Sequence, residues 1–394
     1  MENKKIIVYT GIFGLPDENA AGKRVYGVAL ILEKLGYKVL LIGVSKIIDS
    51  RNEKRLTDNI FYCSFPKYKR ADVYSSFKYL TNKIRGLSHM PLMIIRYASP
   101  SLALFDECLN RYAKKNNIPV VADAVDWLPA NGNNFLFNII KSTDTYLEKA
   151  IFNKRGAGVI AISSYLEKYY KSYGLKTIVI PPIVGEYHEN NTVNKKTKII
   201  YAGIPFRLNQ QVRDVHKIKD RVDLIIDSIC ELGKRRHDFE LHIYGITEKD
   251  FLIAFPSYKS RLNNSDDVVF FHGMTDMNFV QEEISKADYT ILLRERIRAT
   301  LAGFPTKVVE SISCGTPVIT TNTSDLKKYI QSDSTGFIID ISEREKMISQ
   351  ISQILDLDEK SRRSMKRNCY RSQQFLPDKF TDKMQAFISE ITKK

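Results

Sequence analysis

Two kinds of apolar pattern alternate along this chain. Short runs bounded by turn residues read as buried strands, and stretches with apolar residues every three or four positions read as helices. One set of runs covers Lys5–Tyr9, Lys38–Ile42, Leu92–Ile95, Val120–Ala122, Val159–Ile162 and Thr177–Ile180. A second covers Lys198–Ala202, Glu240–Tyr244, Val268–Phe271, Tyr289–Leu293, Val318–Thr320 and Phe337–Ile339. Between the strands lie helical faces such as Val25, Val28, Ala29, Leu32 and Leu35, closed by Gly36. Ser164-Tyr-Leu-Glu167 has the form of a capping box opening the helix before Thr177. The last amphipathic stretch, Phe380, Met384, Phe387, Ile388 and Ile391, has no strand after it and must pack on an earlier surface.

Strands alternating with helices give parallel sheets covered on both faces. Pro181-Pro182 and the polar segment 185–198 separate the two sets and read as a linker. No sequence repeat relates the halves, so the doubling is architectural. The expectation is an α/β protein of two Rossmann-like domains facing each other across a cleft. Residues 1–183 form the first and 184–377 the second, with a helix over 378–394 crossing back to the first.

Composition narrows the class. The chain has 394 residues, 43% apolar and 27% charged, which excludes disordered, collagenous and coiled-coil classes. No apolar run is long enough for a spanning helix and the start does not read as a signal peptide, so a cytoplasmic protein is expected. The five cysteines are scattered without Cys-x-x-Cys spacing and read as buried thiols. Charge is uneven: residues 1–183 carry 27 basic against 15 acidic side chains, and residues 184–394 carry 33 against 30. Within the first half, Phe61, Tyr62, Phe65, Tyr68, Tyr74, Phe77 and Tyr79 are interleaved with Lys67, Lys69, Arg70 and Lys78. That mixture suits an anionic surface, either a bilayer or a nucleic acid, or else a solvated face. No groove-reading or single-strand motif accompanies it, so nucleic acid is not expected as a partner.

Candidate chemistry concentrates in Ala302-Gly-Phe-Pro-Thr-Lys-Val-Val-Glu-Ser-Ile-Ser-Cys-Gly315. Pro305 and Gly315 bracket a helix whose start follows a strand end, where free N–H groups favour an anion such as phosphate. Lys307 and Glu310 share one face of it. The segment Tyr201-Ala-Gly203-Ile-Pro-Phe-Arg207, followed by Lys219-Asp220, offers close backbone approach at Gly203 and cations at Arg207 and Lys219. The six histidines form no metal-ligand pair and there is no phosphate-loop lysine motif, so no metal site is expected. Asp356-Leu-Asp358 reads as helix capping.

These residues resemble the retaining, nucleotide-sugar-dependent glycosyltransferases of family four, with the GT-B fold. The likeness is carried by Gly303-Phe-Pro-Thr-Lys-Val-Val-Glu310 with Cys314-Gly-Thr-Pro-Val-Ile319, by Tyr201-Ala-Gly203 with Lys219-Asp220, by Ala20-Ala-Gly-Lys-Arg24, and by Val159-Ile-Ala-Ile-Ser-Ser-Tyr-Leu166 with Ile180-Pro-Pro182. The resemblance implies a nucleoside-diphosphate sugar as donor substrate, with no cofactor and no metal. Glu310 would meet the donor ribose; Lys219 and Lys307 would meet the diphosphate beside Thr306, Phe304, Gly203 and Arg207. Gly22 and Arg24 would approach the phosphates from the first domain. Asp123-Ala-Val-Asp126-Trp127 looks like the acceptor-facing acidic segment of capsule and exopolysaccharide members, and Lys219, Glu310 and Asp126 are the candidate catalytic residues. The implied partners are an acceptor saccharide, lipid-linked, and the anionic inner face of the plasma membrane. One departure stands out: the family carries an acidic residue eight positions before Glu310, where this chain has Ala302. Spacing leaves open whether Glu295 supplies that carboxylate. A nucleotide-sugar epimerase of the same fold and a catalytically silent nucleotide-sugar-binding subunit are the alternative readings.

Overall fold

The computed structural model describes residues 4–66, 73–97, 102–127, 135–263 and 267–393. The chain divides into two compact units, one of residues 1–185, 302–304 and 375–394, the other of 186–301 and 305–374.

The first unit is built on an eight-stranded sheet. Its strands are β1 (Ile6–Thr10), β2 (Lys38–Gly43), β3 (Glu53–Arg55), β4 (Ile60–Ser64), β5 (Met93–Arg96), β6 (Val120–Ala124), β7 (Gly158–Ala161) and β8 (Thr177–Val179). The order is β3-β4-β2-β1-β5-β6-β7-β8, parallel throughout except that β3 runs antiparallel to β4. Successive residues of β1 point to opposite faces, so Ile7 and Tyr9 join one core and Val8 the other. The Ile7 and Tyr9 side is covered by helices Ala20–Lys34 and Thr381–Thr392, the Val8 side by Val73–Arg85 and Leu102–Lys115. With both faces buried, the central strands read as continuous apolar runs instead of alternating ones. Gly158 has no Cβ because one would sit 2.8 Å from the Phe387 ring of the last helix. Met384, Phe387 and Ile388 of that helix are buried in the same core as β1.

The second unit holds β9 (Thr197–Ala202), β10 (Phe239–Tyr244), β11 (Val269–Gly273), β12 (Tyr289–Leu292), β13 (Val318–Thr321) and β14 (Gly336–Ile339). All pair in parallel in the order β11-β10-β9-β12-β13-β14. The two sheets and their helices make the fold GT-B. Among the described residues no helix is long and apolar enough to cross a membrane.

Several local expectations shift by a residue. The cap of helix Ser164–Lys171 is Ser163, which accepts from the Leu166 N–H; Ser164 is already helical. The helix expected to start at Pro305 runs Thr306–Ser313 with Pro305 as its N-cap. Its end is a Schellman motif: Gly315, at φ +71°, donates to the Ile312 carbonyl, and Thr316 donates to that of Ser311. Asp358 caps helix Glu359–Ser372 by accepting from Ser361 N–H at 2.8 Å.

Candidate functional site

In the six-stranded sheet the chain builds outward from β9 in one direction through β10 and β11, and in the other through β12, β13 and β14. Strand order therefore reverses between β9 and β12, and the carboxyl ends of those strands are where an open parallel sheet binds ligands. Gly203 follows β9, and Leu293, Arg294 and Glu295 follow β12.

Asp220 is the centre of a charged cluster at this point. Its carboxylate is 6% exposed and accepts from Lys307 Nζ at 2.5 Å, from the Tyr201 hydroxyl at 3.1 Å and from Arg294 Nε at 2.7 Å, with Arg294 Nη2 also 2.7 Å away in the ion pair. Burial alone would raise the Asp220 carboxyl. The Lys307 ammonium and the Arg294 guanidinium outweigh it and hold the group below the usual carboxylate range. Desolvation draws the Lys307 ammonium below its ordinary value, only partly offset by Asp220. Lys307 Nζ also lies 4.6 Å from the centre of the Tyr201 ring. Two cations thus share the Asp220 carboxylate, and Glu310 acts on Lys307 from the same pocket.

Gly203 is glycine for a reason the geometry makes plain. Its φ is +140°, and a Cβ there would lie 2.3 Å from Lys307 Nζ. Lys307 and Glu310 line one small pocket with Ile200, Ala202, Ile284 and Leu292. The structure thus sets Lys307 against Gly203 at the end of β9 and beside Glu310 in the pocket, with Thr306 opening the same helix. Lys219 is half-buried immediately before Asp220, and Arg207 is exposed in the loop after Gly203.

Other expected residues lie elsewhere. Phe304 is buried in the first unit and packs edge-on against Phe375 with ring centres 6.2 Å apart, so it is a core residue there and not a lining of the Lys307 pocket. Ala302 is fully buried in that unit, and its carbonyl accepts from the Ser163 hydroxyl at 2.6 Å. Glu295 is bonded to Arg221 and, at 2.7 Å, to His216. Arg294 had no place in the sequence reading; its position directly past a strand of the carboxyl-end row was the available signal.

In the first unit Arg24 corrects the expectation that it reaches a donor. It is 3% exposed, with Nη2 and Nε on the Asp123 carboxylate at 2.8 and 3.2 Å. Nη1 donates at 2.7 Å to each of the carbonyls of Ile180 and Pro181. The Tyr9 hydroxyl donates to Asp123 as well. The guanidinium therefore ties the ends of β1 and β6 to the segment after β8. Gly22 N–H is used in the helix cap, donating to Asn19 Oδ1 at 2.8 Å, and a Cβ at Gly22 would meet the Leu15 carbonyl oxygen at 2.1 Å. Asp126 is half-buried just past β6, where its backbone carbonyl accepts from Lys149 Nζ at 2.5 Å.

Of the basic and aromatic stretch of the first half, the described aromatic side chains are largely interior and Lys78 is exposed. Tyr62 and Phe65 are buried, and Phe61, Phe77 and Tyr79 pack against the core that holds Phe105. Tyr74 is exposed, while Lys67, Tyr68, Lys69 and Arg70 lie outside the described residues. A different segment carries rings and cations on the surface. Tyr146, Tyr165 and Tyr173 are exposed, Trp127 and Tyr169 stack edge-on at 4.7 Å, and Lys154 sits 3.1 Å from the Tyr173 ring centre.

Comparison with known proteins agrees with this architecture. Residues 215–372, most of the second unit, match the family model of glycosyl transferases group 1. No curated protein matches by sequence. Among solved structures, sucrose-phosphate synthase from Thermosynechococcus elongatus superposes with a TM-score of 0.71 at 14% identity, over 98% of this chain and 99% of that one. A glycosyltransferase from Rickettsia africae gives 0.64 at 15% identity over the whole of both chains. HepE from Anabaena, solved in complex with UDP-glucose, gives 0.60 at 12% identity over 98% of this chain and 99% of that one. At such identities the likeness establishes the fold.

Proposed function

We propose that the protein is a retaining glycosyltransferase that moves a sugar from a nucleoside-diphosphate donor to a saccharide acceptor without a metal ion. The observation that carries this reading is Lys307, which shares a small pocket with Glu310 and also reaches Gly203 just past β9, beside the reversal point of the sheet. The family match over residues 215–372 and the UDP-glucose complex of HepE support it.

In this reading the second unit binds the donor. Glu310 accepts hydrogen bonds from ribose hydroxyls, and Lys307, with Lys219 and Arg207, stabilises charge developing on the departing diphosphate. The anomeric carbon–phosphate oxygen bond breaks as the acceptor hydroxyl oxygen bonds to the same face of that carbon. The acceptor's proton passes to the leaving phosphate oxygen, so no strong protein base is needed. Lysine ammonium groups take the charge-neutralising part that magnesium plays elsewhere. Asp126, past the end of β6 in the first unit, faces the acceptor. The acceptor is a lipid-linked saccharide of a capsule or exopolysaccharide, held at the inner face of the plasma membrane. The net positive charge of residues 1–183 and the exposed tyrosines with Lys154 support that location.

The test is thermal-shift screening against UDP, GDP, ADP and their sugars, because a ligand bound only to the native state raises its transition. At least one nucleotide should stabilise the protein. Glu310→Ala should keep the unliganded transition and lose nearly all sugar transfer. No shift with any of the nucleotides, or transfer at the wild-type rate in Glu310→Ala, would remove the reading.

A further inference from the structure

Arg294 is the second cation of the Asp220 cluster. Its side chain is 11% exposed and stands directly after β12, across the reversal point from Gly203. Its backbone is fixed on both sides: the Arg294 N–H donates to Thr321 Oγ1 at 3.0 Å, and that hydroxyl donates to the Arg294 carbonyl at 2.7 Å. Asp220 then fixes the head group, taking Nε and Nη2 together. Nη1 makes no hydrogen bond among the described residues, so two N–H donors of a planar, permanently charged group are left over. Lys307 has three donors and uses two, on Asp220 and on the Tyr201 oxygen at 3.2 Å.

We propose that Arg294 contacts the diphosphate of the donor, through Nη1, beside Lys307. Asp220 is the positioning residue that holds the two like-charged groups next to one another. This deepens the donor-binding reading above and rests on it. A guanidinium whose other nitrogens are already pinned loses little freedom when an anion arrives, and its planar N–H donors match phosphate oxygens. Lys219, the expected partner of Lys307, is not part of the Asp220 cluster: the carboxylate is shared by Lys307, Arg294 and Tyr201.

The experiment uses the full chain and calorimetric titration with UDP, GDP, ADP, the matching monophosphates and the bare nucleosides. Wild type identifies which base binds. Arg294→Gln should weaken the diphosphate on the order of 10- to 100-fold, the range of a charge-assisted hydrogen bond. Its affinity for the nucleoside should stay within about twofold, and the salt dependence of diphosphate binding should become shallower. Arg294→Lys, which keeps the charge without the fork, should lie between the two. Equal diphosphate affinity in wild type and Arg294→Gln would overturn the proposal, as would an equal loss for diphosphate and nucleoside, the mark of a merely structural role. Wild type that binds none of the three diphosphates would instead overturn the donor reading itself, and this inference with it.

Discussion

Arg24→Met should cost stability and leave nucleotide affinity alone. In the folded protein the substitution strands the carboxylate of the buried Asp123 with the Tyr9 hydroxyl as its remaining donor among the described residues. It also removes the donor from the Ile180 and Pro181 carbonyls. Breaking a buried ion pair from one side costs about 3–5 kcal/mol, because the surviving charge stays desolvated. At ~2–4 °C per kcal/mol for a unit of this size, the transition should fall by roughly 6–20 °C. Because the pair's net worth is small when both charges go, Arg24→Met with Asp123→Leu should recover much of that loss. Calorimetric scans give the transitions, and titration with nucleoside diphosphates at 10 °C gives the affinities. A variant that keeps the wild-type transition but loses diphosphate affinity would refute this account and return Arg24 to the ligand.

Other measurements probe separate parts of the molecule. Burial lowers Lys366 from its ordinary value to about 8, so the native state binds that proton less tightly than the unfolded chain. The resulting penalty is fully present below about pH 8 and is relieved as pH rises toward the unfolded value near 10.4. Wild-type stability should therefore rise relative to Lys366→Met between pH 8 and 10, and parallel urea-unfolding profiles for the two proteins would contradict this. Gly203→Ala places a Cβ on the path of Lys307 and should weaken diphosphate binding at least tenfold by titration, with a smaller loss in the unfolding scan. Phe387→Ala empties a buried site against β7 and should cost about 3–5 kcal/mol, read as earlier proteolysis of the unit containing β1–β8. Lys154→Glu with Tyr173→Ser should release the protein from anionic vesicles in a sedimentation assay, while uncharged vesicles retain neither form.

The fold was legible where burial is two-sided. Each of the twelve strands read from apolar runs is present within a residue or two, because a strand covered on both faces leaves a continuous apolar stretch. The two missed strands show the converse. Glu53–Arg55 is an exposed, charged edge with no apolar signal, and Ile60–Ser64 carries Phe61 and Tyr62, whose rings beside basic residues read as surface. In the candidate site, Gly203, Lys307 and Glu310 were legible from local turn and helix spacing. Arg24 was not, because its partner lies 99 residues away, and neither was the Asp220 cluster, which joins residues 74 and 87 positions apart. Sequence spacing reports neighbours along a helix or strand. It carries no information on which cation a buried carboxylate will choose across a sheet.

The chain passes between its two units after residues 185, 301, 304 and 374. Synthesis therefore delivers all of β9 to β14 before helix Thr381–Thr392, whose Met384, Phe387 and Ile388 fill the core around β1. Domains ordinarily fold in the order in which the ribosome releases them. Here the half made first must wait with an open hydrophobic flank until the half made later is already complete. A nascent chain halted before residue 381 should accordingly bind holdase chaperones through its earliest segment, and one released past residue 392 should not.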